Sequence, residues 1–300
     1  MRSLRVDVYT PWYRRGAPIS LPFLPPLPLL RIDGAQRPPP KPLPPAVGYR
    51  RRVTDQQPLP HKSFDPTTFR DKPVSFVRRS GRMTPSQVRA WEEHRAKYVL
   101  DIPHGAAATS VADDATGDPQ QIFGRRAPLV VEVGSGQGHA ILHAAETRRD
   151  TDFLAVEVFR AGLARTMIRA ELAELDNLRL AEVNAPELLE KYLPEGSVSE
   201  IWVFFPDPWK KERHKKRRLV SDDFARIAHR ALQPGGVLRL ATDWEDYAEQ
   251  MREVLDAAPG FARDFTGEWA DRFDGRVLTA FEQKGAEKGR EIRDLSYRRA

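Results

Sequence analysis

From residue 128 onward the chain alternates short apolar runs with stretches of helix formers, and does so five times. The runs at 129–133, 153–158, 178–183, 201–205 and 237–241 are too short for buried helices and read as strands. Helical segments follow them: one beginning over 140–145, one over 161–175, a short one near 186–192, and one over 244–257. Ahead of the fifth strand, Ser221 caps a helix that carries Asp222 and Asp223 in its first turn and turns Phe224, Ile227 and Ala231 inward; Pro234-Gly235-Gly236 ends it. Runs at 261–265 and 292–297 supply two further strands. Five strand–helix units joined by right-handed crossovers predict a doubly wound, mostly parallel α/β sheet of seven strands. Sheets of this kind bind ligands beyond the carboxyl ends of their strands, so those ends carry the functional information.

The first strand runs into Glu132-Val133-Gly134-Ser135-Gly136-Gln137-Gly138. Glycines at this spacing, between a strand and a helix, allow positive φ and bring the backbone close to a ligand. The dinucleotide fingerprint is G-x-G-x-x-G; here the third glycine comes one residue early, and Glu132 would repel a diphosphate. An acid at that point suits a ligand with an ammonium and a sulfonium, which favours S-adenosylmethionine over NAD(P). Glu157 ends the second strand, nineteen residues beyond Gly138, where a carboxylate accepts from the hydroxyls of an adenosyl ribose. Asn184 follows the third strand.

The fourth strand stops at Pro206 and is followed by Asp207, Pro208 and Trp209, then by Lys210-Lys211-Glu212-Arg213-His214-Lys215-Lys216-Arg217-Arg218. A proline ends a central strand, and two of them hold Asp207 in a rigid turn at the ligand edge. The strip behind it has seven Lys or Arg against one Glu. Trp209 either anchors the turn or stacks on a base, and anchoring is the better reading. The strip reads as a phosphate-binding surface beside the ligand site, with a merely solvated face as its rival.

Charge is unevenly spread. Residues 1–83 hold 16 Lys and Arg against 5 Asp and Glu, a net +11, whereas the remainder is net −5. Positive charge in the folded part is therefore concentrated in the strip, which favours a located anionic partner. Residues 1–60 contain 14 of the 26 prolines and are expected to form no packed fold. Residues 74–100 differ: Thr84, Pro85 and Gln87 form a capping-box start, and Val88, Trp91 and Tyr98 are expected on one helical face. Arg78, Arg79 and Arg82 just before it are either solvated or phosphate contacts. The expected division is 1–62, a disordered proline-rich basic tail; 63–103, an arm and helix packed on the catalytic domain; 104–126, a flexible linker; and 127–300, the catalytic domain.

The chain has no cysteine, which excludes disulfides, thiolate nucleophiles and cysteine-ligated metals. Its seven scattered histidines are read as holding neither an H-x-x-x-H nor an H-E-x-x-H pair, and no metal site is expected. No apolar run approaches the ~20 residues of a membrane span, and a cytoplasmic protein without an obligate protein partner is expected.

With these residues in view, the sequence resembles the bacterial tRNA (guanine-N7)-methyltransferase family. The motif F-F-P-D-P-W-K-K-E-R-H-K-K-R-R at 204–218 carries most of the likeness. S-F-V-R-R-S-G-R-M-T at 75–84, A-T-D-W at 241–244 and T-A-F-E-Q-K-G at 279–285 support it; the first ~60 residues lie outside. The resemblance implies a Rossmann-like class I methyltransferase fold that transfers a methyl group from S-adenosylmethionine to N7 of guanine 46 in the tRNA variable loop. It implies that Glu132, Gly134, Gly136, Glu157, Asn184 and Asp207 line the cofactor site, with Asp207 also at the reacting centre. It further implies that Lys211, Asp243 and Thr279, Ala280, Phe281 and Glu282 meet the substrate. Lys210, Arg213, Lys215, Lys216 and Arg217 are the expected phosphate contacts. Two positions depart from the family pattern: Asn184 and Ala280 stand where the family usually has Asp and Lys. The competing functions are a methyltransferase on another RNA or on an exocyclic amine, which P-D-P-W also suits, and an RNA-binding module without catalysis.

Overall fold

Side chains of a strand alternate between the two faces of its sheet, and here the alternation sorts the core into two layers. Leu129, Val131 and Val133 point to one face with Leu154, Ile201, Val203 and Leu240, while Val130 points to the other with Phe153, Ala155 and Trp202. The computed structural model describes residues 82–278, Glu282 and residues 289–300. The expectations for 1–62, for Arg78 and Arg79, and for Thr279, Ala280 and Phe281 lie outside the described residues.

The sheet has seven strands: β1 (Leu129–Val133), β2 (Asp152–Val156), β3 (Leu178–Ala181), β4 (Val198–Phe204), β5 (Leu232–Thr242), β6 (Phe261–Arg263) and β7 (Arg293–Arg299). Their order is β3-β2-β1-β4-β5-β7-β6. The first five are parallel; β7 runs antiparallel to both β5 and β6. The order reverses between β1 and β4, which creates the crevice where such sheets bind ligands. On the face of Val130 and Phe153 pack α3 (His139–Thr147) and α4 (Arg160–Leu172), through Ile141, Leu142, Leu163 and Met167. The opposite face is covered by α5 (Ala185–Glu187) with the π turn Leu188–Tyr192, by α6 (Asp222–Ala231) and by α7 (Glu245–Ala257), through Leu188, Phe224, Ile227, Tyr247 and Met251.

The ends of several elements follow from local chemistry. Thr84 and Gln87 form the expected capping box, Thr84 Oγ1 accepting from Gln87 N at 3.3 Å and Gln87 Oε1 from Thr84 N at 2.8 Å, and so start α1 (Pro85–Tyr98). Val88 is exposed, however; Ala90, Trp91 and Tyr98 form the packed face, and Gln87 Nε2 donates to Ala161 O to tie α1 to the start of α4. Ser221 caps α6 as expected. Pro234-Gly235-Gly236 does not end that helix: α6 stops at Ala231, and the three residues lie within the opening of β5, Pro234 and Gly235 exposed and Gly236 buried, where Leu232 pairs with Val198.

Residues 104–126, expected as a free linker, are packed. Val111 and Ala115 lie in the core, and the short helix α2 (Pro119–Phe123) follows them. Thr109 O accepts from Asn184 N at 2.7 Å, and Val111 N donates to Glu187 Oε2 at 2.9 Å. Gly117 fits directly beneath the Tyr192 ring, with no room for a Cβ. Small and polar residues read as a linker because their backbone hydrogen bonds are invisible in a composition; those bonds and two apolar plugs hold the segment over the end of β3.

Candidate active site

β1 delivers Glu132 to the crevice. Glu132 is 5% exposed, and its Oε2 has no hydrogen-bond partner among the described residues. Burial pushes the carboxyl up to about 8; the Ile141 N–H pulls it back and the Glu157 charge adds to the rise. A buried, under-satisfied acid is expensive unless a partner arrives. The loop after it turns through Gly134, Gly136 and Gly138, all at positive φ. A Cβ at Gly134 or Gly136 would meet nothing within 4 Å, so open space lies beside both, whereas one at Gly138 would strike Thr166. A cleft of about 400 Å³ opens here, walled by Glu132, the glycine loop, His139, Phe159, Phe204, Phe205 and Arg276. A second cleft, about 470 Å³, lies between α6 and α7 and contains none of the expected site residues.

Of the expected cofactor residues, Glu132, Gly134 and Gly136 line this cleft; Glu157, Asn184 and Asp207 follow strands β2, β3 and β4 on the same edge of the sheet but are not in its wall. Glu157 is committed to the backbone. Its Oε2 accepts from Gly136 N at 2.9 Å, and its Oε1 from Val158 N at 2.7 Å and Phe159 N at 2.9 Å. A carboxylate has about four lone-pair sites, so it retains capacity for a ligand hydroxyl while holding the glycine loop in place. Asn184 is 2% exposed, and its amide donates to Glu187 Oε1 at 3.2 Å.

Asp207 is exposed on the turn that closes β4. Phe205 (φ 52°) and Trp209 (φ 45°) both occupy the left-handed region, which non-glycine residues rarely enter, and so bracket Pro206-Asp207-Pro208. Arg218, the last residue of the cationic strip, fixes this turn rather than facing solvent. It is 2% exposed, donates from Nε to Pro208 O at 2.9 Å, from Nη1 to Gln250 Oε1 at 2.7 Å and from Nη2 to Asp246 Oδ2 at 2.8 Å, and lies over the Tyr247 ring. The strip itself forms a 3₁₀ helix, Glu212–Arg217. Lys211, Arg213 and Lys216 are exposed; Lys215 pairs with Glu212 at 2.9 Å and Asp246 at 3.3 Å; Arg217 lies over Trp209, and Lys210 over Trp244. With Arg217 over its face and His214 edge-on at 5.9 Å, Trp209 anchors the turn.

Among the expected substrate residues, Asp243 follows β5 and accepts from Arg290 at 2.6 Å. Glu282 is 3% exposed and lies 2.6 Å from Arg276 Nη1 and 3.2 Å from Arg272 Nε. Arg276 went unread in the sequence. It is 1% exposed, bridges Glu282 and Asp294 (2.7 Å), and lines the cleft beside Phe205. Burial raises the Asp294 carboxyl, and Arg276 opposes that rise. Nothing in R-V-L-T-A-F-E marks its arginine as buried. Contrary to the expectation, His139 and His143, four apart on α3, do form an H-x-x-x-H pair; among the described residues no three His, Asp or Glu are grouped to hold a metal ion.

A parallel sheet reversing between β1 and β4, with a glycine loop and a buried acid at the reversal, defines the class of Rossmann-like methyltransferases. The family profile described as "Putative methyltransferase" matches residues 126–295. Proteins named tRNA (guanine-N(7)-)-methyltransferase match over most of the chain: that of Paenarthrobacter aurescens at 45% identity, spanning 77% of this chain and 93% of that protein; that of Methylococcus capsulatus at 45%, spanning 75% and 94%; and that of Cutibacterium acnes at 40%, spanning 88% and 98%. The chain belongs to the tRNA (guanine-N7)-methyltransferase family.

Proposed function

We propose that this S-adenosylmethionine-dependent tRNA (guanine-N7)-methyltransferase acts on guanine 46 of the variable loop, with Asp207 at the reacting centre and the 210–217 strip on the RNA backbone. S-adenosylmethionine supplies the methyl group on a sulfonium. The residues fit it: Glu132 is a buried acid short of a partner beside an open glycine loop, as a cationic amino-acid moiety requires. Glu132 would hold that moiety, Glu157 the ribose and the loop, and Asn184 the adenine through its amide oxygen.

Guanine N7 carries an in-plane lone pair and no proton, so its attack needs no prior deprotonation. The protein's task is alignment and exclusion of water. Phe204, Phe205 and Phe159 give the cleft dry walls. Asp207 accepts from guanine N–H groups and offsets the positive charge that the purine gains. Asp243, Lys211 and Glu282 complete the substrate set. The observation that carries the assignment is the juxtaposition, on one sheet edge, of the buried Glu132 cleft with the rigid Pro206-Asp207-Pro208 turn and its exposed cations. We assign catalysis to residues 127–300, with α1 as part of an arm packed upon them, and place the enzyme in the cytoplasm with its tRNA substrate. No helix among the described residues is long and apolar enough to cross a membrane.

Transfer of labelled methyl to unmodified tRNA, followed by identification of the modified nucleoside, tests the assignment. The expected product is 7-methylguanosine, and a tRNA with adenine at position 46 should accept no label. Label at another base or position would overturn the reading.

A further inference from the structure

A nucleotide drawn into a cleft has two phosphodiester links, and they leave it in different directions. The cationic strip serves one side only. Arg218 and Lys215 bind it to Asp246 and Gln250 of α7, which packs on the sheet face of Leu238 and Leu240. The other wall of the cleft is formed by Gln137, His139 and Ala140 at the start of α3 and by Phe159 at the head of α4, two helices that pack on the opposite face.

On that side α4 presents Arg165 and Arg169, one turn apart and both exposed. Among the described residues neither side chain has an ion pair, hydrogen bond or ring contact, whereas their neighbours are engaged. Arg160 binds Glu182 at 2.9 Å and lies over Trp91; Glu171 is held by Lys97 at 2.5 Å and by Tyr98 at 2.8 Å. Glu146, two turns along α3 from His139, pairs with neither arginine. Like charges at i and i+4 repel, and no ion pair with an acid among the described residues offsets that here. α4 meets the cleft loop beside them: Thr166, next to Arg165, fills the space over Gly138, and after burial the Arg169 and Arg165 charges hold the His139 ring below its ordinary protonation range.

We propose that Arg165 and Arg169, beside His139 at the cleft edge, form a second phosphate-binding patch, so that the RNA strand is gripped on both sides of the target guanine. This rests on the tRNA reading above. Phosphate contacts position a nucleic acid without reading its bases, and two unpaired guanidinium groups suit that role.

The test is tRNA binding across a salt series with the full chain. Each phosphate contact contributes about 0.7 to 0.9 to the slope of log K against log salt. Arg165→Gln/Arg169→Gln should flatten the slope by roughly 1.4 to 1.8, while Arg165→Lys/Arg169→Lys should keep it near wild type. Arg213→Gln/Lys216→Gln, run alongside, reports on the strip. If the strip variant flattens the slope and the Arg165/Arg169 glutamine variant does not, the second patch is wrong and the tRNA reading stands. A lysine variant as flat as the glutamine one would overturn the patch as a charge-driven site. If the wild type neither methylates tRNA nor binds it in a salt-dependent way, the tRNA reading itself fails.

Discussion

The Arg276 guanidinium lies over the Phe205 ring, 5.3 Å from its centroid, while its Nη atoms reach Glu282 and Asp294. One buried cation thus connects the wall of the cleft to a carboxylate that we propose meets the substrate. Removing one partner of a buried ionic cluster typically costs 3–5 kcal/mol, because the charges left behind are uncompensated. Arg276→Ala should therefore lower unfolding stability by about 3 kcal/mol or more. Arg276→Met with Glu282→Gln and Asp294→Asn should recover much of that stability without recovering methylation. Urea unfolding midpoints and single-turnover rates separate the two effects.

Glu157 accepts three backbone N–H groups, one of them from the glycine loop. Glu157→Ala removes those bonds along with the proposed ribose acceptor. Charge-assisted hydrogen bonds are worth ~1.5 kcal/mol or more, so cofactor affinity should fall at least about tenfold by titration calorimetry. Unchanged affinity would refute the role.

Glu132 predicts a pH dependence. Its carboxyl, raised from 4.5 to about 8 by burial, is mostly protonated near neutrality in the free protein. A cationic ligand favours the ionised form, so binding should release a proton and tighten as pH rises toward about 8. Stability of the free protein runs the other way. The folded value lies above the unfolded one, so the contribution is full below about 4.5 and is lost as pH rises through about 8. Calorimetry in buffers of different ionisation enthalpy reads the proton release, and Glu132→Gln should abolish it.

Much of this layout was legible in the chain itself, because apolar runs and glycine spacing are local signals. β1 falls on the expected residues, and the two acids Glu132 and Glu157 stand at strand ends as anticipated. β4 begins three residues earlier than its apolar run because Glu200, polar in sequence, is neutralised in space by Arg148 at 2.9 Å and Arg239 at 3.1 Å, with Trp202 Nε1 as a third donor. Arg276 and Arg218 were illegible for the same reason: burial of an arginine depends on partners 18 and 28 residues away. The exposed Val88 and the packed 104–126 segment likewise reflect tertiary neighbours that no local pattern encodes.

Base placement and RNA binding should come apart on mutation. Asp207→Ala should depress single-turnover methylation severely while leaving tRNA affinity within a few-fold, since one base contact is a small part of an ionic interface. Replacing Lys215, Lys216 and Arg217 together should weaken tRNA binding and flatten its salt dependence by roughly 0.7 to 0.9 per lost contact. Filter binding and saturated single-turnover assays measure both. Because Lys215 is already paired with Asp246, its share should be the smallest of the three.

The turn that carries Asp207 has almost no slack. Prolines 206 and 208 set their own φ near −65°, and residues 205 and 209 sit in left-handed wells on either side. If Asp207 acts at the reacting centre as proposed, its backbone would not move to meet an acceptor; the acceptor would have to be brought to it. The turn would then work as a fixed gauge, rejecting a nucleophile that arrives an ångström out of line instead of adapting to it. Phe205→Gly would relieve the torsional strain and turn the gauge into a hinge. The expected result is a slower and less discriminating transfer, at a cost in stability because the Phe205 ring also packs under Arg276 and walls the cleft.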